Sequence, residues 1–266
     1  MCTDSAARDD AADGLRPAAA VNGKLRVGTS GYQYGHWKGR FYPEDLPKRL
    51  WFGHYARHFD TVEINNTFYR LPGPGVFDAW QQAAPAGFLY ALKFSRYGTH
   101  RKRLRAPAQP IRLFTSRARR LKEHLGPVLV QLPPRWHANP ERLKAFVARL
   151  PEGLRWAIEF RDPSWLTEPV FDLLAQRNVA LCVHDMLADH PRRLTADFAY
   201  LRFHGERYGG SYSAQALAAH ARRIRAWMAD GIDVYAYFNN DAEAYAVRNA
   251  ADLRRYAGDI GQRAVA

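Results

Sequence analysis

Four side chains able to carry charge or protons stand at the ends of short apolar runs. Glu63 follows Thr61-Val62, Lys93 follows Tyr90-Ala91-Leu92, Glu159 follows Trp156-Ala157-Ile158, and Asp185 follows Cys182-Val183-His184. Paired carboxylates such as Glu63 and Glu159 can act as general base and general acid, or hold a divalent ion with Asp185. Lys93, Arg161 and Arg202 could neutralise the charge of a phosphate, and Asn239 or Asn240 could orient a substrate. Asn65, Gln131, His204 and Tyr237 share these run ends, Arg96 and His100 follow the third run, and Tyr32 and Trp37 follow the first. Carboxylates beside His184 or His204 suit Mg, Mn or Zn, so a divalent metal stays open. No H-x-H or H-E-x-x-H spacing occurs, and no cofactor is certain.

Elements of two kinds must position these residues. Apolar runs of strand length recur at Leu25–Thr29, Thr61–Asn65, Phe88–Phe94, Val128–Leu132, Trp156–Arg161, Val179–Asp185, Phe198–His204 and Ile232–Asn239. Each is expected to be followed by a helical pattern, as in Pro47–Phe59, Ile111–His124, Pro140–Leu150, Glu168–Arg177, Ala214–Ala229 and Ala242–Tyr256. Val-, Leu-, Ile- and aromatic-rich strands alternating with amphipathic helices predict a parallel sheet covered by helices. Eight such units predict an α/β chain folded as a single (β/α)8 TIM-type barrel. Gly28-Thr29-Ser30-Gly31 lacks the G-x-G-x-x-G spacing and leads into Tyr32 and Trp37, which argues against a dinucleotide-binding fold.

Strand side chains alternate between the barrel interior and the helix layer. Trp156, Ile158 and Phe160 share one parity, and Ala157, Glu159 and Arg161 the other. The same rule groups Ala91 with Lys93, and Tyr200 with Arg202 and His204. It separates Glu63 and Asn65 from Val62 and Ile64, separates Gln131 from Val128 and Val130, and joins Tyr237 to Asn239. Several strands thus deliver polar groups at one end and on one side. A barrel would focus them into a cup at its C-terminal face, where function usually sits. The alternative is a buried ion-pair network, for example Glu63 with Arg202 and Glu159 with Lys93. His184 and Asp185 have opposite parity, so only one should face inward, and Asp185 is assigned to the loop mouth.

Composition narrows the partners. The 266 residues carry a net charge of +13. Residues 1–23 hold four Asp and two Arg, hence −2, leaving +15 on the remainder. Such a field attracts polyanions. That opening stretch has no apolar core of a signal peptide and predicts a disordered leader before a barrel domain at 24–266. No apolar run of about 18 residues is present, so no membrane span is expected. The two cysteines, Cys2 and Cys182, are unsuited to pairing with each other, which points to a reducing cytoplasm. Oligomeric state is not set by any feature of the chain.

From Arg96 to Lys122 there are ten Lys or Arg residues and no acid. Arg96, Arg101, Lys102, Arg103 and Arg105 fall in the loop after the third strand, and guanidinium forks there suit phosphate. Arg117–Lys122 reads equally as a solvated helix face. Aromatics gather after the strands at Tyr32, Tyr34, Trp37, Phe68, Tyr69, Trp165, Tyr208 and Tyr212. They could stack bases or sugars, or pack loops onto the rim.

Seven ordered motifs resemble the DUF72 (YecE-like) family. They are Gly28-Thr29-Ser30-Gly31-Tyr32 with Trp37, Gly39 and Phe41-Tyr42-Pro43; Glu63-Ile64-Asn65-Asn66-Thr67-Phe68-Tyr69; Lys93-Phe94-Ser95-Arg96 with Thr99-His100; Gln131-Leu132-Pro133-Pro134; Glu159-Phe160-Arg161-Asp162-Pro163-Ser164-Trp165; Arg202-Phe203-His204-Gly205; and Tyr237-Phe238-Asn239-Asn240-Asp241. The resemblance covers about Lys24 to Leu253. It implies a TIM-type barrel and little about activity, since the family's name records an unknown function.

Three functions are carried forward. The first is a hydrolase or lyase acting on an anionic, phosphate-bearing substrate, either a small molecule or nucleic acid. The second is a glycosidase-like enzyme built on two carboxylates. The third is a non-catalytic nucleic-acid-binding protein.

Overall fold

Alternating and continuous apolar runs form strands where they are predicted. The computed structural model describes residues 23–187, 189–205 and 210–258. Apart from Gly23, the expected leader lies outside the described residues, as does Tyr208. The strands are β1 (Leu25–Thr29), β2 (Thr61–Ile64), β3 (Leu89–Lys93), β4 (Leu125–Gln131), β5 (Trp156–Glu159), β6 (Val179–His184), β7 (Phe198–Phe203) and β8 (Asp233–Phe238). They form one eight-stranded sheet in the order β1-β8-β7-β6-β5-β4-β3-β2. Every pairing is parallel.

The sheet curls until its end strands meet. A parallel bridge joins Ser30 to Glu63 at the top of the seam, and Gly31 N–H donates to Glu63 C=O at 2.8 Å. Lower down, the Tyr55 hydroxyl sits between the strands. It accepts from Thr29 N–H at 2.9 Å and donates to Thr61 C=O at 3.0 Å. Gly28 makes this approach feasible, because a Cβ there would lie 2.1 Å from the Thr61 carbonyl oxygen. The result is a nearly closed barrel.

Helices cover it. They are α1 (Trp51–His58), α2 (Asn66–Tyr69), α3 (Pro74–Ala83), α4 (Ala108–Ala118), α5 (Pro140–Val147), α6 (Glu168–Ala175), α7 (Ala214–Ala229) and α8 (Tyr245–Tyr256). α5 starts at a helix-compatible Pro140, with the Asn139 side chain accepting from Arg142 N–H at 2.9 Å. The expected helix through His124 ends earlier, at Ala118, and continues only as a 3-10 stretch, Arg119–His124. α3 is additional to the sequence reading. Its Pro72-Gly73-Pro74 start looks like a loop, although proline is well tolerated in a first helical turn.

One expected unit differs. Among the described residues, no helix lies between β6 and β7. The connection contains Pro191, and its return arm docks through Thr195. That hydroxyl accepts from Leu181 N–H at 2.8 Å and donates to Val179 C=O at 2.7 Å. It thereby satisfies the start of β6, which pairs with β7 only from Cys182 onward.

Two apolar layers follow from strand parity. Val62, Leu92, Val128, Val130, Ile158, Leu201 and Phe238 pack outward against the helices. Ala91, Leu129, Ala157, Ala180, Cys182, Phe198, Tyr200, Tyr235 and Tyr237 fill the barrel interior. Small residues on β3, β5 and β6 leave room for the tyrosine rings of β7 and β8, so the centre is packed and the polar cup rests on a closed floor. Among the described residues, no helix is long and apolar enough to cross a membrane.

Candidate active site

Arg202 stands at the centre of the cup. Its guanidinium donates through Nη1 to Glu159 Oε2 at 2.7 Å and through Nη2 to Glu63 Oε1 at 2.8 Å. Both carboxylates are 0% exposed. Ser30 Oγ donates to Glu63 Oε1. The same Oγ accepts from Arg202 Nη2 at 3.1 Å and from Asn65 Nδ2 at 2.9 Å. The Tyr200 hydroxyl rises from the interior layer and donates to Glu63 Oε2 at 2.7 Å. Arg161 Nε donates to Glu159 Oε1, and its Nη2 lies 3.3 Å from Gln131 Oε1.

Two carboxylates and two guanidinium groups therefore share a hydrogen-bonded network, which offsets the cost of taking them out of water. Burial pushes the Glu63 carboxyl up, but Arg202, Lys93, Ser30 and Tyr200 outweigh it and hold it below the usual range. Burial acts on Glu159 likewise, and Arg202 and Arg161 hold it well below that range, with smaller help from His184 and His204. Burial works against the Arg202 charge, yet Glu63 and Glu159 raise its pKa further. Glu63 and Glu159 are thus fixed counter-charges. Both carboxyl groups are held in the charged form among these cations. The predicted Glu63–Arg202 pair forms, whereas Glu159 pairs with Arg202 and Arg161 instead of Lys93.

Lys93 is different. It is 8% exposed, and its ammonium lies 4.5 Å from the Phe68 ring centroid. Among the described residues the ammonium has no hydrogen bond and no close ion pair. Burial and then Arg202 push its pKa down, Glu63 and Glu159 restore only part, and it comes to about 8. His100 packs on Phe68 with ring centroids 5.1 Å apart. Burial, then Arg96, Lys93 and Arg161, push its pKa to about 4, so the ring is neutral.

The end of β6 supplies a supporting layer. His184 Nε2 lies 2.7 Å from the Phe160 carbonyl oxygen, and its Nδ1 accepts from Met186 N–H at 3.2 Å. Those partners assign the proton to Nε2, and burial lowers the pKa to about 4. Asp185 follows in the loop mouth. It accepts from His204 N–H and lies 3.0 Å from His204 Nδ1, and it also accepts from the Tyr212 hydroxyl. His204 Nε2 then faces Arg202 Nη1 at 3.4 Å and Arg161 Nη2 at 3.5 Å. A chain of contacts thus runs from the loops into the network.

Other candidates fall elsewhere. Tyr237 is fully buried below the cup, its hydroxyl 2.8 Å from Thr61 Oγ1. Trp37 is also fully buried and ties the β1 loop to the β8 loop through Nε1 to Asp241 C=O at 2.8 Å. Tyr32 packs on Phe52 and Tyr55. Asn240 donates to Gly210 C=O and Asn249 Oδ1 and holds the loop before α7. Asn239 is half-buried at the end of β8. Arg96, Arg101, Arg103 and Arg105 are exposed, and Lys102 lies 5.5 Å from the Tyr97 ring centroid. Arg120 is taken up by Asp78, with Nε to Oδ1 at 2.7 Å.

Sequence reasoning passed over Ser30 and Tyr200 as site residues. Parity could have found both, since Ser30 alternates with the outward Val27 and Thr29, and Tyr200 shares a face with Arg202. Among the described residues, no three His, Cys, Asp or Glu side chains converge as metal donors. Glu63, Glu159 and Asp185 spend their oxygens on Arg, Ser, Tyr and His partners, so this arrangement does not fit a divalent ion.

Comparison with known proteins agrees with the fold. The family model for "Protein of unknown function DUF72" matches residues 26–265. The chain is 32% identical to the UPF0759 protein YecE of Escherichia coli over 117 residues, 43% of this chain and 42% of that protein. It thus spans under half the length of that curated relative. A crystal structure of a DUF72 family protein from Thermotoga maritima superposes with a TM-score of 0.78 at 27% identity, covering 87% of this chain and 98% of the other. One from Enterococcus faecalis reaches 0.74 at 18% identity, covering 88% and 95%, and so bears on the fold alone.

Proposed function

The chain belongs to the DUF72 family, and we propose that it is an enzyme whose cup takes a phosphate-bearing anion, with Lys93 as the group that handles the proton. The observation that carries this reading is Lys93 itself. Its ammonium is buried at the mouth without a close counter-ion among the described residues, and at a pKa of about 8 it is partly neutral near physiological pH. An amine so placed can abstract a proton or add to a carbonyl carbon, which favours a lyase over a hydrolase. Arg161 and the exposed Arg96 offer the positive charge that a phosphate needs. Nucleic acid is the polymeric form of such a substrate, and the net charge of +13 would draw it in. A glycosidase needs one carboxylic acid that stays protonated, whereas Glu63 and Glu159 are both held below the usual range.

Amine-selective acylation followed across pH tests the reading. Lys93 should react with an apparent pKa near 8, and a 5′-phosphorylated dinucleotide should protect it while a neutral oligosaccharide does not. A Lys93 that titrates at its ordinary value of 10.5 and stays unprotected would end the proposal.

A further inference from the structure

A cavity of about 180 Å³ lies between the outer faces of β6 and β7 and the side of α7, where no helix among the described residues follows β6. It lies on the helix-layer side of these strands, and its lining also takes in His184 and Arg202 of the cup network. Val183, Leu201 and Ile224 give it apolar walls, but much of the remaining lining is basic or imidazole: His190, Arg192, His220 and Arg223.

We propose that this cavity is a second binding site, selective for an oxyanion that also carries a hydroxyl, namely hydrogen phosphate. Two observations carry it. First, Arg192 and Arg223 line the cavity without a hydrogen bond or ion pair among the described residues. Both guanidinium groups line the same cavity, and burial, then the charge of Arg192, pushes the Arg223 guanidinium down. Asp185 lines the same space, but its oxygens are taken by His204 and Tyr212. An anion seated between two guanidinium groups meets strong, fork-shaped donors.

Second, His190 is 9% exposed and has a buried Nε2 with no partner. Its Nδ1 lies 2.9 Å from the Pro191 carbonyl oxygen, which can only accept, so the ring proton sits on Nδ1. The orphaned Nε2 is therefore an acceptor that lacks a donor. Burial, then Arg223 and Arg192, holds His220 near a pKa of 4, so it too is neutral. A ligand that offers O–H to His190 and negative oxygens to the arginines satisfies His190 and both guanidinium groups. Hydrogen phosphate does so. Sulfate has the charge but no hydroxyl at neutral pH.

The test is a titration of the nitrogen-15-labelled full chain with inorganic phosphate and, separately, sulfate at matched ionic strength, read at the imidazole nitrogens. Phosphate should shift His190 Nε2 saturably and sulfate should not. Arg192→Glu, at an exposed position, and Arg223→Ala should each weaken the apparent affinity at least about tenfold, the loss expected for a charged hydrogen bond. Arg223→Lys should keep part of it, and Lys93→Met should leave the His190 response unchanged. The proposal is overturned if His190 does not respond to phosphate, if sulfate acts equally, or if both arginine variants titrate like the parent. Loss of the response in Lys93→Met would assign it to the cup and overturn the second site as well.

Discussion

Arg202 on β7 donates to Glu63 on β2 at 2.8 Å, across the barrel mouth and past both intervening strands, β8 and β1. β1 and β2 are the two ends of the strand order. This ion pair therefore helps to hold the barrel shut where ladder hydrogen bonds are few. Arg202→Met leaves two buried carboxylates with reduced compensation and should cost about 3–5 kcal/mol. Urea unfolding measures it, and a loss below about 1 kcal/mol would show that the network tolerates the gap.

The seam itself offers a second check. Tyr55→Phe removes the hydroxyl that serves both Thr29 N–H and Thr61 C=O. The expected loss is about 1–3 kcal/mol, with faster hydrogen exchange at the Thr29 amide. Gly28→Ala should cost more, because its Cβ would meet the Thr61 carbonyl oxygen at 2.1 Å, which is backbone and cannot swing aside. Equal stability of Gly28→Ala and the parent chain would contradict the close approach.

Lys93 should weaken the fold at neutral pH. Its folded pKa of about 8 lies below its ordinary 10.5, so between these values the unfolded chain binds the extra proton. Stability then rises as pH rises through that window, and below pH 8 the penalty is constant. Lys93→Met should add about 1–3 kcal/mol at pH 7 and abolish the acylation that titrates near pH 8. A destabilised Lys93→Met chain would mean that the ammonium has a partner in the cup.

Acid stability follows from the histidines. His184 and His220 are both depressed to about 4 from 6.5. The unfolded chain takes up their protons first, so stability falls as pH drops from about 6.5 toward 4. Glu63 and Glu159, with lowered folded values, contribute stability above the unfolded carboxylate pKa and lose it as pH falls further. Denaturant midpoints measured from pH 7 to 4.5 should decline steadily. His184→Asn, which keeps a donor for Phe160 C=O, should flatten the slope, and an unchanged slope would place the titration elsewhere.

The strand positions and cup membership were legible because both depend on alternation, a local property. Glu63, Lys93, Glu159, Arg161 and Arg202 could be placed on one side by counting from apolar neighbours. α3 was hidden because its Pro-Gly-Pro start mimics a loop. The bare β6–β7 crossover was hidden because a helix is the usual partner of a parallel strand, and Thr195 replaces it by contacts distant in sequence.

What the amino-acid order determined alone was therefore an eight-stranded α/β barrel with a particular set of inward polar side chains. Tertiary structure decided which of those side chains meet. Arg202 could reach Glu63, Glu159 or both, and the choice rests on how the strands stagger as the sheet curls and on the tyrosines beneath them. That closure places Arg202 between the two carboxylates and leaves Lys93 over Phe68 without a close partner among the described residues. It also opens the basic cavity beside α7. Arg202 stands 139 positions from Glu63 and 43 from Glu159, so no local pattern encodes either pairing.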